Sequence, residues 1–296
     1  MRRREVPSMR FVVYLPLLAT GFAAVGGPWL AARLPARAGL WTVTGGVVAA
    51  AAGSTWSLLL LVATLVDELP GWERESDPEP VPDAVAVGCA AVLAVLCLRA
   101  ATAVHRRRRL YREVRAACPA GPGELVVLAD DEPRAFALPG GSGRIVVSAG
   151  MLRALTPPQR RVLLAHERAH LHGRHHLLLG AADLSVALNP LLLAARHAVA
   201  FCCERAADES AAAEVGDRAL TARALAVAAL AGAGRPHDLG FGDHAVLRRV
   251  TALRSAPPPG RPVLVLAAAA VCLAVAGVEF DATVDFARLL ATLLSG

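Results

Sequence analysis

The chain contains no lysine, so the 31 residues counted as Lys+Arg are all arginine. It has one isoleucine, Ile145, and aromatic residues make up only 4% of it. This skew, together with heavy alanine use, is what a GC-rich genome produces, and arginine in place of lysine therefore carries no functional meaning by itself. A formal net charge of +6 would ordinarily raise nucleic acid as a partner. Here the arginines gather beside apolar runs, where positive charge sets membrane orientation, and no nucleic-acid partner is expected. Cysteine is too sparse and too scattered for a disulfide framework. Cys89, Cys97 and Cys272 fall inside apolar runs, Cys118 stands alone, and the adjacent Cys202 and Cys203 are too close to bridge each other in ordinary geometry. Reduced thiols in a cytoplasmic domain fit this pattern, with Cys202 and Cys203 as small buried residues.

What the chain has in abundance is apolar surface: 55% of residues are hydrophobic and the mean hydropathy is +0.47. Four stretches are long enough for a bilayer, which needs roughly 20 residues. They run from Phe11 to about Ala32, from Leu40 to Val66, from Ala84 to Val104 and from about Val263 to Phe280. Arg2 to Arg4 ahead of the first would suit a signal peptide, but its length and the apolar runs that follow argue for a retained helix. A multi-pass protein of a cell membrane, bacterial by its composition, is expected, with the lipid bilayer as a partner. The organisation expected is three transmembrane helices over 1–104, a catalytic domain over 105–260, and a fourth helix with a short tail over 261–296.

The densest basic cluster, from Arg106 to Arg115, follows the third span and marks the cytoplasmic side. The acidic, proline-containing stretch from Asp67 to Glu79 fits the outside. The amino terminus and the carboxy tail are then outside and the catalytic domain inside. Arg2, Arg3 and Arg4 disagree with that assignment, and would matter less if translation began at Met9.

Between the third and fourth spans the chemistry concentrates in His166-Glu167-Arg168-Ala169-His170, an H-E-x-x-H pattern. Residues four apart share a helix face, so His166 and His170 can present two imidazole nitrogens to one metal ion, with Glu167 beside them as a general base. Thr156 as N-cap, Pro157 and Pro158 in the first turn and Gln159 in a capping box predict where this helix begins. A histidine pair on a helix can also be merely solvated. The third ligand tips the balance: Glu204 in Glu204-Arg205-Ala206-Ala207-Asp208 completes a His-His-Glu set of the kind that leaves a zinc ion one open position. One Zn2+ per chain is expected. Asp208, one turn beyond Glu204, is placed to hydrogen-bond a ligating histidine; a surface ion pair is its plainer reading.

Around the motif, Leu125 to Leu128, Arg134 to Leu138 and Arg144 to Ser148 read as short strands, with a tight turn at Pro139 to Gly143. Ile145, Val146 and Val147, just before the metal-binding helix, are candidates for an exposed edge that holds a substrate peptide by its main chain; an ordinary strand in a small sheet fits equally well. His172, His175 and His176 read as surface or interfacial histidines beside the site, and His105, His197, His237 and His244 as structural ones. Leu177 to Phe201 is apolar, yet one crossing would leave His170 and Glu204 on opposite faces of the bilayer. Asp183 and Arg196 would also be costly in lipid. Two packed helices meeting near Asn189-Pro190 satisfy both constraints.

These residues resemble the integral-membrane zinc peptidases of the BlaR/MecR type, and are similar to the related HtpX-like and CAAX-prenyl-protease-like families of gluzincins. The resemblance covers roughly Leu125 to Leu253. It rests on Ala135-Phe136, Pro139-Gly140-Gly141, Ile145-Val146-Val147, HERAH at 166–170, Asn189-Pro190 and ERAAD at 204–208, and more weakly on Arg248-Arg249-Val250 with Leu253. It implies His166, His170 and Glu204 as zinc ligands, Glu167 as general base, and a mainly α-helical fold carrying a small β-sheet. No penicillin-binding sensor domain follows the last span, so only the protease module is inherited by this resemblance. The expected activity is zinc-dependent endoproteolysis of a protein or peptide substrate at the membrane face, in regulated proteolysis or signalling. The alternative is a non-proteolytic membrane signalling or scaffold protein that keeps the zinc site.

Overall fold

The computed structural model describes residues 15–63, 83–118, 123–141, 143–232 and 242–294. The expected start of the first span at Phe11, the end of the second at Val66, the acidic stretch around Asp67 to Glu79, and His237 lie outside these residues. The described residues are mostly helical, with one small sheet.

Two apolar helices open the chain, α1 (Leu15–Arg33) and α2 (Ala36–Ala63). After them α3 (Asp83–Ala117) runs unbroken for 35 residues, roughly 50 Å at the helical rise. It therefore carries the arginine cluster well beyond the length a bilayer requires. The last helix, α10, spans Pro262–Leu294. Three helical segments are long and apolar enough to cross a membrane: Ala36–Ala63, Asp83–Ala117 and Pro262–Val284. The stretch expected as the first span forms the helix α1, which is not among those three. Large side chains such as Phe22, Trp41, Leu98 and Leu273 point outward from these helices, as lipid-facing residues do.

Between α3 and α10 lies the domain that carries the motifs. Its sheet has three short strands, β1 (Leu125–Leu128), β2 (Ala135–Leu138) and β3 (Arg144–Ser148), in the order β1-β3-β2. β3 pairs in parallel with β1 and antiparallel with β2. The turn between β2 and β3 needs glycine, because Gly140, Gly141 and Gly143 all take positive φ.

A short α4 (Ala149–Ala154) leads into α5 (Pro157–His172), which carries the first motif. Its start is built as the sequence predicts: Gln159 Oε1 accepts a hydrogen bond from the Thr156 N–H at 2.9 Å. The chain then turns through Arg174, whose φ is +49°. Two packed helices follow, α6 (His175–Leu188) and α7 (Leu193–Val215), joined at Asn189 and the 3-10 turn Pro190–Leu192. This is the bent pair that the geometry of the two motifs required. α8 (Arg218–Gly232) and α9 (Gly242–Arg254) complete the domain.

The largest apolar core joins the membrane helices to this domain. Ala31, Val43, Val47, Leu192, Ala195, Val199, Cys202 and Cys203 are all buried in it. The helices come close because they meet at small residues: a Cβ on Gly27 would stand 3.0 Å from the Cβ of Ala195. Polar groups lock the corner, with Asn189 Nδ2 donating to Thr20 Oγ1 at 3.0 Å and to Ser54 Oγ at 2.9 Å. Arg205 Nη1 donates to the Ala31 carbonyl at 2.8 Å, near the end of α1. The helix bearing Glu204 is thereby fixed to the membrane part of the molecule.

Candidate metal centre

α5 and α7 cross so that His166, His170 and Glu204 converge. The Nε2 atoms of His166 and His170 are 3.1 Å apart. Glu204 sets Oε2 at 3.6 Å from His166 Nε2 and Oε1 at 3.5 Å from His170 Nε2. Ligand atoms held 2.0–2.1 Å from one tetrahedral zinc ion would lie about 3.3–3.4 Å apart, so these three donors already stand at the spacing zinc needs. They form the one metal-competent cluster of His, Cys, Asp and Glu side chains among the described residues. Two neutral-capable imidazoles and a carboxylate, with one side open to a cavity, suit zinc and leave a coordination position free.

Asp208 lies beneath, with Oδ1 3.1 Å from His166 Nδ1. Its two oxygens also accept from Arg249 Nε and Nη2, each at 2.8 Å, and Arg249 Nη1 reaches Glu204 Oε2 at 2.9 Å. A bidentate guanidinium thus holds both acidic residues of the second motif from α9. On the other side, His175 Nδ1 is 2.9 Å from His170 Nδ1. Each histidine of the motif therefore has a partner on the ring nitrogen turned away from the cluster, which fixes ring orientation.

The electrostatics separate the two glutamates. Burial raises the Glu167 carboxyl, against the charge of His166 and a hydrogen bond from the Ala137 backbone, and it ends above the ordinary glutamate range. Burial also disfavours charge on Glu204, but the His166 hydrogen bond and Arg249 outweigh it and hold that carboxyl well below the usual range. Burial lowers His170 to about 4, so it is neutral and free to donate a lone pair. His166 is pushed up to about 10: burial opposes the proton, but Asp208 and Glu204 hold it there. That pair of carboxylates favours positive charge at the position a divalent cation would take.

The strand assigned as a substrate edge is corrected by the sheet order. β3 is central, paired on both sides, and Ile145, Val146 and Val147 are 1%, 1% and 0% exposed. Hydrogen bonds to β1 and β2 use its backbone groups, so it has none to offer a peptide. β2 is the edge strand nearest the site. Its residues Ala135, Phe136 and Ala137 line a cavity of about 460 Å³ that also contains His166, Glu167, His170 and Glu204.

Two participants escape a reading of sequence alone. Of the histidines expected at the surface or at an interface beside the site, His175 is buried against His170, because the left-handed residue Arg174 turns α6 back toward it. Arg249 stands in the weakly matching Arg248-Arg249-Val250, which gave it no role; the trace that could have found that role is the E-x-x-x-D pair itself, two carboxylates on one buried face that need a cation. Cys202 and Cys203 are buried in the apolar core, as small residues.

With this geometry in view, comparison with known proteins gives one result. Residues 101–236 match the model of peptidase family M48. The matched M48 region begins within α3, runs through both motifs and ends after α8, so it contains the whole cluster except Arg249. M48 peptidases are zinc-dependent, and the match supports a metallopeptidase. No curated protein and no solved structure matches the chain.

Proposed function

We propose that the protein is an integral-membrane zinc metalloendopeptidase that cleaves peptide bonds of a protein substrate at the cytoplasmic face of a cell membrane, in regulated proteolysis. The observation that carries this reading is the spacing of His166, His170 and Glu204 with Glu167 on the same cavity wall. These three residues would hold one zinc ion per chain, and the catalytic unit comprises residues 105–260. Zinc bound there supplies a Lewis acid that acidifies water and polarises a carbonyl.

The protein's own residues do the rest. Glu167, desolvated and raised in pKa, is poised to accept a proton from the attacking water and return it to the leaving amine. The Ala137 backbone N–H, which donates to Glu167, ties the base to β2. Asp208 and His175 orient the two histidines, and Arg249 keeps Glu204 and Asp208 ionised. The free edge of β2 is where a substrate main chain would be held in extended form beside the base. The finer likeness to BlaR/MecR-type peptidases rests on the layout of spans before and after this unit.

The test is cleavage of a casein-like protein by detergent-purified full-length chain. Wild type should cleave it, 1,10-phenanthroline should stop cleavage, and zinc should restore it. E167Q should lose it by several orders of magnitude. Cleavage that survives in E167Q or in chelator would contradict this reading, and zinc-loaded wild type with no cleavage would favour a signalling or scaffold role.

A further inference from the structure

The cavity beside the metal cluster has a second charged end that the peptidase reading does not use. There Asp183, on α6, is shared by two arginines. Arg107 Nη1 donates to Asp183 Oδ2 at 2.9 Å from α3, and Arg196 Nε donates to Asp183 Oδ1 at 2.8 Å from α7. All three line the same cavity as His166, Glu167 and Glu204. Their side chains remain 30%, 35% and 33% exposed (Arg107, Asp183, Arg196), so this end is open rather than a sealed ion pair. Two guanidiniums against one carboxylate leave one positive charge in excess. His176, also lining the cavity, adds none: burial, helped by Arg107 and Arg174, lowers its pKa below the ordinary value.

The end is built rather than accidental. Arg107 also donates to the His176 carbonyl and to Tyr111 Oη, the latter at 3.2 Å, and lies over the Tyr111 ring. Gly180 makes room for it, because a Cβ there would stand 3.1 Å from the guanidinium carbon. A guanidinium held on several sides loses little freedom when it takes a further anionic partner, which suits it to recognition.

Its position follows from α7. Arg196 precedes Glu204 by eight residues on one helix, about 12 Å along the axis. It lies toward the corner where Leu191 and Leu193 are exposed and where Asn189 bonds to Thr20 and Ser54 of the apolar helices α1 and α2. An extended peptide covers about 12 Å in three to four residues.

Resting on the peptidase reading, we propose that Arg107 and Arg196 form a subsite for a carboxylate of the substrate, three to four residues from the cleaved bond, with Asp183 as the resident counter-ion that the substrate partly displaces. The site therefore selects acidic sequence on the side of the scissile peptide nearer that corner.

Binding tests this without turnover. Zinc-loaded full-length E167Q in neutral detergent is titrated with fluorescent ten-residue peptides blocked at both ends, identical except for one central Glu or Gln. A third peptide carries Gln and a free carboxy terminus. The Glu peptide should bind tighter than the Gln peptide on the order of tenfold, the worth of one charged hydrogen bond. Tighter binding of the free-terminus peptide would assign the carboxylate to a chain end instead of a side chain, with the subsite upheld. R107Q or R196Q should erase the preference. D183N, which removes the competing anion and spares both arginines, should enlarge it, so the prediction does not depend on one variant's folding. Equal affinity for all three peptides, or a preference unchanged in D183N and R196Q, overturns the subsite. Loss of the preference when phosphatidylglycerol is added also overturns it, by giving the site to a lipid phosphate. A Glu preference in a chain whose wild type cleaves nothing would instead leave the subsite standing and refute the peptidase reading.

Discussion

Glu167 and Glu204 face one cavity with opposite protonation tendencies, and their neighbours decide which does what. Glu204 stays ionised because His166 and Arg249 hold it, whereas Glu167 is desolvated and nearer to exchanging a proton. Arg249 is the residue on which the acidic pair depends. R249M should destabilise the fold by about 3–5 kcal/mol, because it removes the guanidinium that pairs with buried Asp208 through both oxygens. Pairing it with D208N should recover part of that loss, giving a clear coupling energy in a double-mutant cycle followed by thermal denaturation in detergent. Additive losses would show that the pair is not coupled. The convergence of His166, His170 and Glu204 was legible in the sequence, since H-E-x-x-H and the distant glutamate need only helical periodicity and the demand for a third donor. The roles of Arg249 and His175 were not, since one arrives from a separate helix and the other depends on a left-handed turn at Arg174.

At the scale of elements, the corner between α6 and α7 was legible because opposite membrane faces cannot share one ion. Sheet order was not: which strand lies at an edge depends on pairings between segments, and Ile145 to Val147 read alike in the centre or at the rim. The hairpin is joined to α1 at a close contact, and this makes neighbouring glycines unequal. G27V should push α1 from Ala195 and cost about 1–3 kcal/mol, as overpacking does. G26V, with nothing within 4 Å of the added Cβ, should lack that cost. Equal melting temperatures for the two variants would show that this contact does not hold the hairpin in place. N189L should also lower the midpoint, because it removes the donor shared by Thr20 and Ser54.

For the whole molecule, composition alone indicated a membrane protein, and the outward-facing Phe22, Trp41, Leu98 and Leu273 give that hydropathy a surface. The chain should stay in the membrane fraction after alkaline carbonate washing, and its release by that wash would contradict membrane-crossing helices. A metal ion held by His166, His170 and Glu204 would link the halves of the domain, since α5 carries two of these residues and α7 the third. Removing it with chelator should lower the thermal midpoint and zinc should restore it.

The most direct measurement is zinc content by mass spectrometry on purified full-length wild type, E167Q, H170A and E204Q, each prepared without chelator. The account predicts one zinc per chain in wild type and in E167Q, and a large loss in H170A and E204Q. Zinc that is absent from wild type, or retained unchanged without His170 and Glu204, would contradict it.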